Sequence, residues 1–562
     1  MYFTLAVSAS TRERCAALIS AAAGTDPRVM PIPGPPSVTW RAQSGLLAVV
    51  CWPAAGGPGP RSHAGTIWAD QGGLHARTAL TRVDPVYLAE VPGAVVVSDR
   101  ASWAAAVAGR LGEADPVTVA AFLALGYPVG AATPFRGVRA LGGGRQLTVT
   151  GGRLATAAAP GQAGGRGGGG SPGTRSSAGR YRRVAAALTE EVRPLGELGV
   201  PVELSLTGGK DSRLIAAALT AAKVPFRART HGFASHPDVI VAAMMARQLG
   251  VEHVVTEPRP AAPEHAPDEA ELLARLRSAV LVCDGMLSAF ENLGRPDPQL
   301  TPEPVQTGGH GGELLRGGYA PAAWSQRKPA RAWSEARGAE LFRRMLTRRL
   351  GLLRPAAAGP YLAHLTPFAA ALPGGPLRAL DEFYLVNRAG RWSAAARQAY
   401  LIRSPLVQPL FGDQVVLAAR QVPLRERITD RLHRGILAEL SPGLLDLPLA
   451  GSGWKSGPQI PPVRATPGPG PAGTADWRRA YGEQMARLLR DYTLDLGATG
   501  GMFDLVRRSA AERALRPPQR DSHAVWALAT LAALLSGDWL NARSAGPSPA
   551  AAISPDEGRV PE

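Results

Sequence analysis

Cysteine is nearly absent from the 562-residue chain: Cys15, Cys51 and Cys283 stand at no metal-like spacing. That excludes a disulfide scaffold or a zinc ribbon and suits a reducing cytoplasm. Long apolar runs are missing too. The longest, Ala524 to Leu535, falls short of the ~20 residues a membrane span needs and predicts a buried helix. The N-terminal stretch MYFTLAVSASTRER carries its positive charges after the apolar part, the reverse of a secretory signal. A soluble, cytoplasmic protein with no membrane span is expected. Lysine is almost as scarce as cysteine: 62 residues are basic, and only Lys210, Lys223, Lys328 and Lys455 are Lys, leaving 58 Arg.

The formal charge of +17 raises nucleic-acid binding, because clustered Lys and Arg neutralise phosphates. The Arg residues are scattered, with no basic run longer than a pair and no aromatic-studded basic strand, so no nucleic-acid partner is expected. Arg in place of Lys, beside abundant Ala, Gly and Pro, reads as compositional bias. Against that background a Lys that persists has a raised prior of being chemically required.

Gly and Pro number 65 and 51, yet 45% of positions are hydrophobic, so a core interrupted by loops is affordable. Residues 159–180 are Gly/Ser-rich without apolar periodicity and predict a linker. Gln459–Ala475 predicts a mobile loop, and 543–562 a disordered tail. Before the linker, the strand-like runs Gly45–Trp52, Ala94–Ser98 and Arg145–Thr150 alternate with helical Ser102–Arg110 and Val117–Leu125. They predict an α+β domain over 1–158. After it, Tyr181–Leu195 puts Val184, Ala185, Leu188 and Val192 on one helical face. Strand-like Val202–Leu206 and Phe226–Thr230 then alternate with helical Ser212–Ala222 and Asp238–Leu249, which predicts a parallel α/β sheet within a domain over 181–542 whose remainder is mostly helical.

The strongest motif is Leu204–Arg213 (LSLTGGKDSR), a strand running through a small-residue turn into a helix. Such a turn brings backbone N–H groups and a helix N-terminus onto phosphate oxygens. Gly208 and Gly209 allow close approach, Thr207 and Ser212 add hydroxyls, and Asp211 can hold magnesium. It is not a Walker loop; an ordinary strand–turn–helix corner capped by Asp or Ser is the plain alternative.

Thr207–Ser212 (TGGKDS) resembles the SGGxDS pyrophosphate loop of the asparagine-synthetase-like ATP pyrophosphatases. Three later segments resemble that family in matching order: Thr307–Tyr319 (TGGHGGELLRGGY), Arg403–Asp413 (RSPLVQPLFGD) and Gly451–Gly457 (GSGWKSG). The resemblance implies ATP and Mg2+ as cofactors, activation of a carboxylate as its acyl-adenylate, and transfer of the acyl group to an amine. It further implies Ser205, Thr207, Gly208, Gly209, Asp211, Ser212, His231, Gly232 and Gly309 as ATP or pyrophosphate contacts and Asp211 and Glu313 as metal ligands. Lys455 and Asp284 fall at catalytic positions. A Lys over the reacting centre stabilises the negative charge of a tetrahedral intermediate; a solvated loop Lys is the plain alternative, which Lys scarcity and the flanking Trp454 oppose. Lys210 occupies the variable position of the loop and is given no catalytic role. Leu281 replaces the family's proton-transfer Glu or Tyr, leaving His310 and Glu291 as weak candidates for the base.

The first domain resembles the family's Ntn-type glutaminase through Val95–Arg100 (VVVSDR) and Gly126–Val149. Tyr2 stands where that glutaminase carries its nucleophilic Cys, which implies an inactive, degenerate domain and a substrate that brings its own amine. Thr207–Leu214 (TGGKDSRL), His236–Asp238 (HPD), Asp284–Gly294 (DGMLSAFENLG) and the GHGGELLRGGY loop resemble lasso-peptide macrolactam cyclases. That resemblance implies a precursor peptide as substrate, with a leader peptidase and a leader-recognition protein as partners. A β-lactam or other small-molecule amide synthetase, an ammonia-dependent asparagine synthetase and a non-catalytic binding module are the alternatives.

Overall fold

The computed structural model describes residues 2–9, 37–42, 46–53, 66–70, 73–150, 153–159, 176–257, 269–291, 304–323, 335–372, 375–401, 405–464, 482–517, 519 and 521–541. Residues 160–175 of the expected linker, the part of the expected Gln459–Ala475 loop beyond 464, and the tail from 543 lie outside them.

Among its described residues the N-terminal part contributes ten strands: β1 Tyr2–Ala9, β2 Ser37–Ala42, β3 Leu46–Pro53, β4 Thr66–Asp70, β5 Gly73–Arg77, β6 Tyr87–Val91, β7 Ala94–Ser98, β8 Val138–Ala140, β9 Arg145–Thr150 and β10 Arg153–Ala158. They form two antiparallel sheets, ordered β2-β3-β1-β7-β6-β8 and β10-β9-β5-β4. All five residues of β7 are buried, and strand alternation explains how. Val95 and Val97 join Leu74, Ala76, Leu147 and Val149 between the sheets. Ala94 and Val96 point the other way, onto Trp103, Ala104 and the Val280–Cys283 stretch of the second domain. Helix α1, Ala101–Val107, covers that face, while α2, Pro116–Leu125, packs with Leu272, Tyr361 and Trp526 of the later helices. The second starts cleanly because Asp115 accepts from the Thr118 N–H, Pro116 sits at the first position and Gly126 closes the end at φ 86°.

Helix α3, Ser177–Val192, buries Val184, Ala185, Leu188 and Val192, the face read from its spacing, and starts inside the expected linker. The second domain then builds a parallel sheet from β11 Val202–Ser205, β12 Arg227–His231, β13 His253–Thr256, β14 Val305–Gly308 and β15 Leu406–Val407, ordered β13-β12-β11-β14-β15. Helices α4, Asp211–Ala221, and α5, Pro237–Leu249, make the crossovers. Residues Ser212 to Leu219 of α4 are all buried, as a helix covered on more than one side requires. The rest is largely helical and ends in α6, Ser522–Ser536, whose run Ala524–Leu534 is buried. Among the described residues no helix is long and apolar enough to cross a membrane.

Asp284, expected at a catalytic position, lies against the N-terminal part. Its carboxylate is fully buried, with Oδ1 accepting from Arg100 at 2.5 Å and the Ser102 hydroxyl at 2.7 Å, and Oδ2 from the Ala101 N–H at 2.9 Å. Arg100 also donates to the carbonyls of Leu281 and Val282. All three donors belong to the N-terminal part, and with both oxygens so engaged Asp284 ties the two domains together. Removing one partner of a buried ion pair strands the other charge. Asp284→Ala should therefore destabilise the protein by about 3–5 kcal/mol, measured as a shift in the chemical-denaturation transition.

Candidate active site

The strand order places a topological switch point between β11 and β14. From β11 the chain moves outward to β12 and β13, then returns to the other side for β14 and β15. In open parallel sheets the loops leaving such a point diverge and open a crevice at the carboxyl ends of the strands. The two glycine-rich motifs, Thr207–Ser212 and Gly308–Gly312, are the loops that leave here. Ser205 and His231, at the ends of β11 and β12, are exposed on the same rim, as is His310. Gly232 follows His231 and donates its N–H to the Thr256 carbonyl at 3.0 Å.

Hydroxyls and one carboxylate shape the first loop. Ser212 Oγ accepts from the Thr207 N–H at 3.1 Å, and Thr207 Oγ1 accepts from the Gly209 N–H at 3.3 Å. The Gly208 N–H, expected to face phosphate, is instead donated to Asp238 at 2.9 Å. The His-Pro-Asp triplet thus acts on loop shape: His236 caps α5, Pro237 fills its first position and Asp238 reaches across. Helix α4 has no side-chain cap at its N-terminus, so its first N–H groups suit an anion.

The second loop closes on Asp211 at a distance only glycine permits. A Cβ on Gly312 would lie 2.0–2.5 Å from the Asp211 carboxyl atoms, and one on Gly309 would lie 2.5 Å from the Ser212 nitrogen. Asp211 Oδ1 meets His433 Nε2 at 2.9 Å, and Oδ2 accepts from Arg316 at 2.7 Å. The same Arg316 nitrogen donates to Glu313 at 3.3 Å. Burial pushes the Asp211 carboxyl up, but the hydrogen bond and charge of His433, with Arg316 and Lys210, outweigh it and hold it below the usual carboxylate range. Asp211 and the exposed Glu313 thus share one cation, which shows that both reach a common centre of positive charge. Among the described residues no group of three His, Cys, Asp or Glu could hold a metal. Two carboxylates fit magnesium, which usually takes one or two protein carboxylates and completes its shell with phosphate and water.

The late loop brings Lys455 to the same place. Ala450 donates its N–H to the Gly208 carbonyl at 3.0 Å, and a Cβ on Gly208 would lie 2.5 Å from that of Ala450. Trp454 is buried in the core of the second domain. Lys455 donates its backbone N–H to Asp430 at 3.0 Å and its Nζ to the Ile428 carbonyl at 3.2 Å. Burial lowers the pKa of its ammonium; Asp430 opposes this, and Lys210 and Arg316 reinforce it.

Asp430, His433 and Arg316 were not singled out from the sequence. One signal was available for His433: it stands beside Leu432, Ile436 and Leu437 on the buried face of helix α7, Arg431–Leu440, which follows the second glycine loop and precedes α6 in the chain, and a polar residue on an apolar face asks for a partner. The glycine contacts make a direct test. Gly312→Ala should weaken MgATP binding by about five- to 150-fold, since overpacking of about 1–3 kcal/mol must displace Asp211; isothermal titration would check it.

No curated protein matches the chain. Residues 183–536 match the asparagine synthase family, a stretch that begins in α3, ends with α6 and contains both glycine loops, Asp430 and Lys455. The chain belongs to the asparagine synthase family, a group of ATP-dependent amide-forming ligases.

Proposed function

We propose that this protein is a lasso-peptide macrolactam cyclase. It adenylates an Asp or Glu side chain of a precursor core peptide, releasing pyrophosphate. The peptide's freed N-terminal amine then attacks, closing an isopeptide-bonded ring and releasing AMP. The observation that carries the reading is that the loop of Lys455 meets the Thr207–Ser212 loop at one switch point, through Ala450 and Gly208 and through the shared Asp430.

Each part has a task. The uncapped start of α4 and the Thr207 and Ser212 hydroxyls hold phosphate oxygens. Asp211 and Glu313 would hold magnesium, which when bound offsets charge on the triphosphate. Arg316, now between the two carboxylates, would turn to the phosphates. Lys455 faces the developing oxyanion when the amine attacks the acyl carbon, a position where one donor is worth about 100–1,000-fold in rate. Ser205, His231 and Gly232 line the rim on which adenine would rest.

The peptide substrate is supported by sequence texture: TGGKDSRL, the His-Pro-Asp triplet, DGMLSAFENLG and GHGGELLRGGY together resemble lasso cyclases. Asp238 adds weight, since it links that triplet to the phosphate loop. A leader peptidase and a leader-recognition protein are the partners this reading calls for, to free and deliver the amine. The test is intact-mass analysis of candidate core peptides incubated with the enzyme and MgATP. Loss of one water from the peptide, with AMP and pyrophosphate formed, is expected, and Lys455→Ala should slow it about 100-fold or more. Full cyclisation by Lys455→Ala would refute the assigned role.

A further inference from the structure

We propose that Asp430 and Lys210 form a clip that positions the late loop, and Lys455 with it, over the phosphate loop. The inference rests on Lys455 acting as described above and adds two positioning residues. One atom joins three parts of the chain: Asp430 Oδ2 accepts from Lys210 Nζ at 2.5 Å and from the Lys455 N–H at 3.0 Å. Lys210 belongs to the first glycine loop, Lys455 to the late loop, and Asp430 to the start of the helix that carries His433.

Asp430 is placed to cap its own helix and does not. It is the residue before Arg431–Leu440, where an Asp ordinarily accepts from the N–H groups of the first turn, yet it makes no side-chain cap. Its backbone sits in the left-handed region at φ 61°, a conformation L-residues adopt singly and where surroundings hold it. Its carboxylate is fully buried, and Oδ1 has no hydrogen-bond partner. The capping interaction is forgone while Oδ2 takes two donors from two other loops. A solvated surface pair would be the plain reading of Lys210 and Asp430, but their side chains are 13% and 0% exposed, so solvent does not screen them. Lys210 Nζ also lies 5.4 Å from the centre of the Trp454 ring, next to Lys455 in sequence. Ala450 and Gly208 already join the two loops at one end; the clip joins them at the other. Two of the four lysines in the chain therefore meet at a single carboxylate.

Hydrogen–deuterium exchange of the intact protein tests the clip without any substrate, so its failure is separable from failure of the proposed function. In Asp430→Ala and in Lys210→Gln, amides of residues 451–457 should exchange about tenfold faster, while helix Glu483–Thr499 keeps its rate and Lys210→Arg restores the loop. With a turning-over peptide, Lys210→Gln should lower kcat about tenfold with the KM for ATP held within about threefold. Unchanged loop exchange in Lys210→Gln would overturn the proposal, as would equal acceleration in the loop and in Glu483–Thr499. So would a loss carried wholly by the KM for ATP.

Discussion

The approach of two glycine loops to one carboxylate governs this site. Asp211 lies where a side chain at Gly312 or Gly309 would collide with it or its neighbour. Partial burial favours a neutral carboxyl, and the surroundings answer with His433 on one oxygen and Arg316 on the other. The outcome is a half-buried carboxylate held below the usual carboxylate range, fixed in orientation, at the carboxyl ends of the two central strands. Glu313 reaches the same cation, and the start of α4 beside it is left without a side-chain cap.

The N-terminal sheets are coupled to this arrangement through a different buried charge. Arg100 and Asp284 join the domains beside a stretch, Val280–Leu287, that packs into the same core as Ala94, Val96 and Trp103. Burial of that kind makes the N-terminal part a wall of the synthetase domain.

What the sequence disclosed, and what it withheld, divides along physical lines. The buried face of α3, the buried helix near residue 530 and the strand–turn–helix at Val202–Ala221 rest on local periodicity and turn chemistry, and these are legible in a linear chain. Element ends differ by one to a few residues because capping depends on side-chain geometry: Asp211, expected in the turn, opens α4. Lys scarcity drew attention to Lys455 alone, and that Lys210 meets the same carboxylate is a matter of packing. The partners of Asp284 could not be read from the chain, because its neighbours in sequence are motif residues while its neighbours in space come from Arg100–Ser102. Asp430 and Arg316 were invisible for the same reason: Lys210, Lys455 and Asp211, which they meet, lie 25 to 220 residues away and are brought in by packing. The use of the Gly208 N–H by Asp238 likewise depends on how α5 lies against the loop.

The central claim is that a side-chain carboxylate is activated on the α-phosphorus of ATP at this site. A core peptide whose Asp and Glu side-chain carboxylates carry heavy oxygen, incubated with enzyme and MgATP, tests it directly by mass spectrometry of the nucleotide product. The account predicts that one heavy oxygen passes from the carboxylate into the phosphate of AMP as the ring closes. Heavy oxygen appearing in inorganic phosphate alongside ADP, or ring closure with unlabelled AMP, would contradict it.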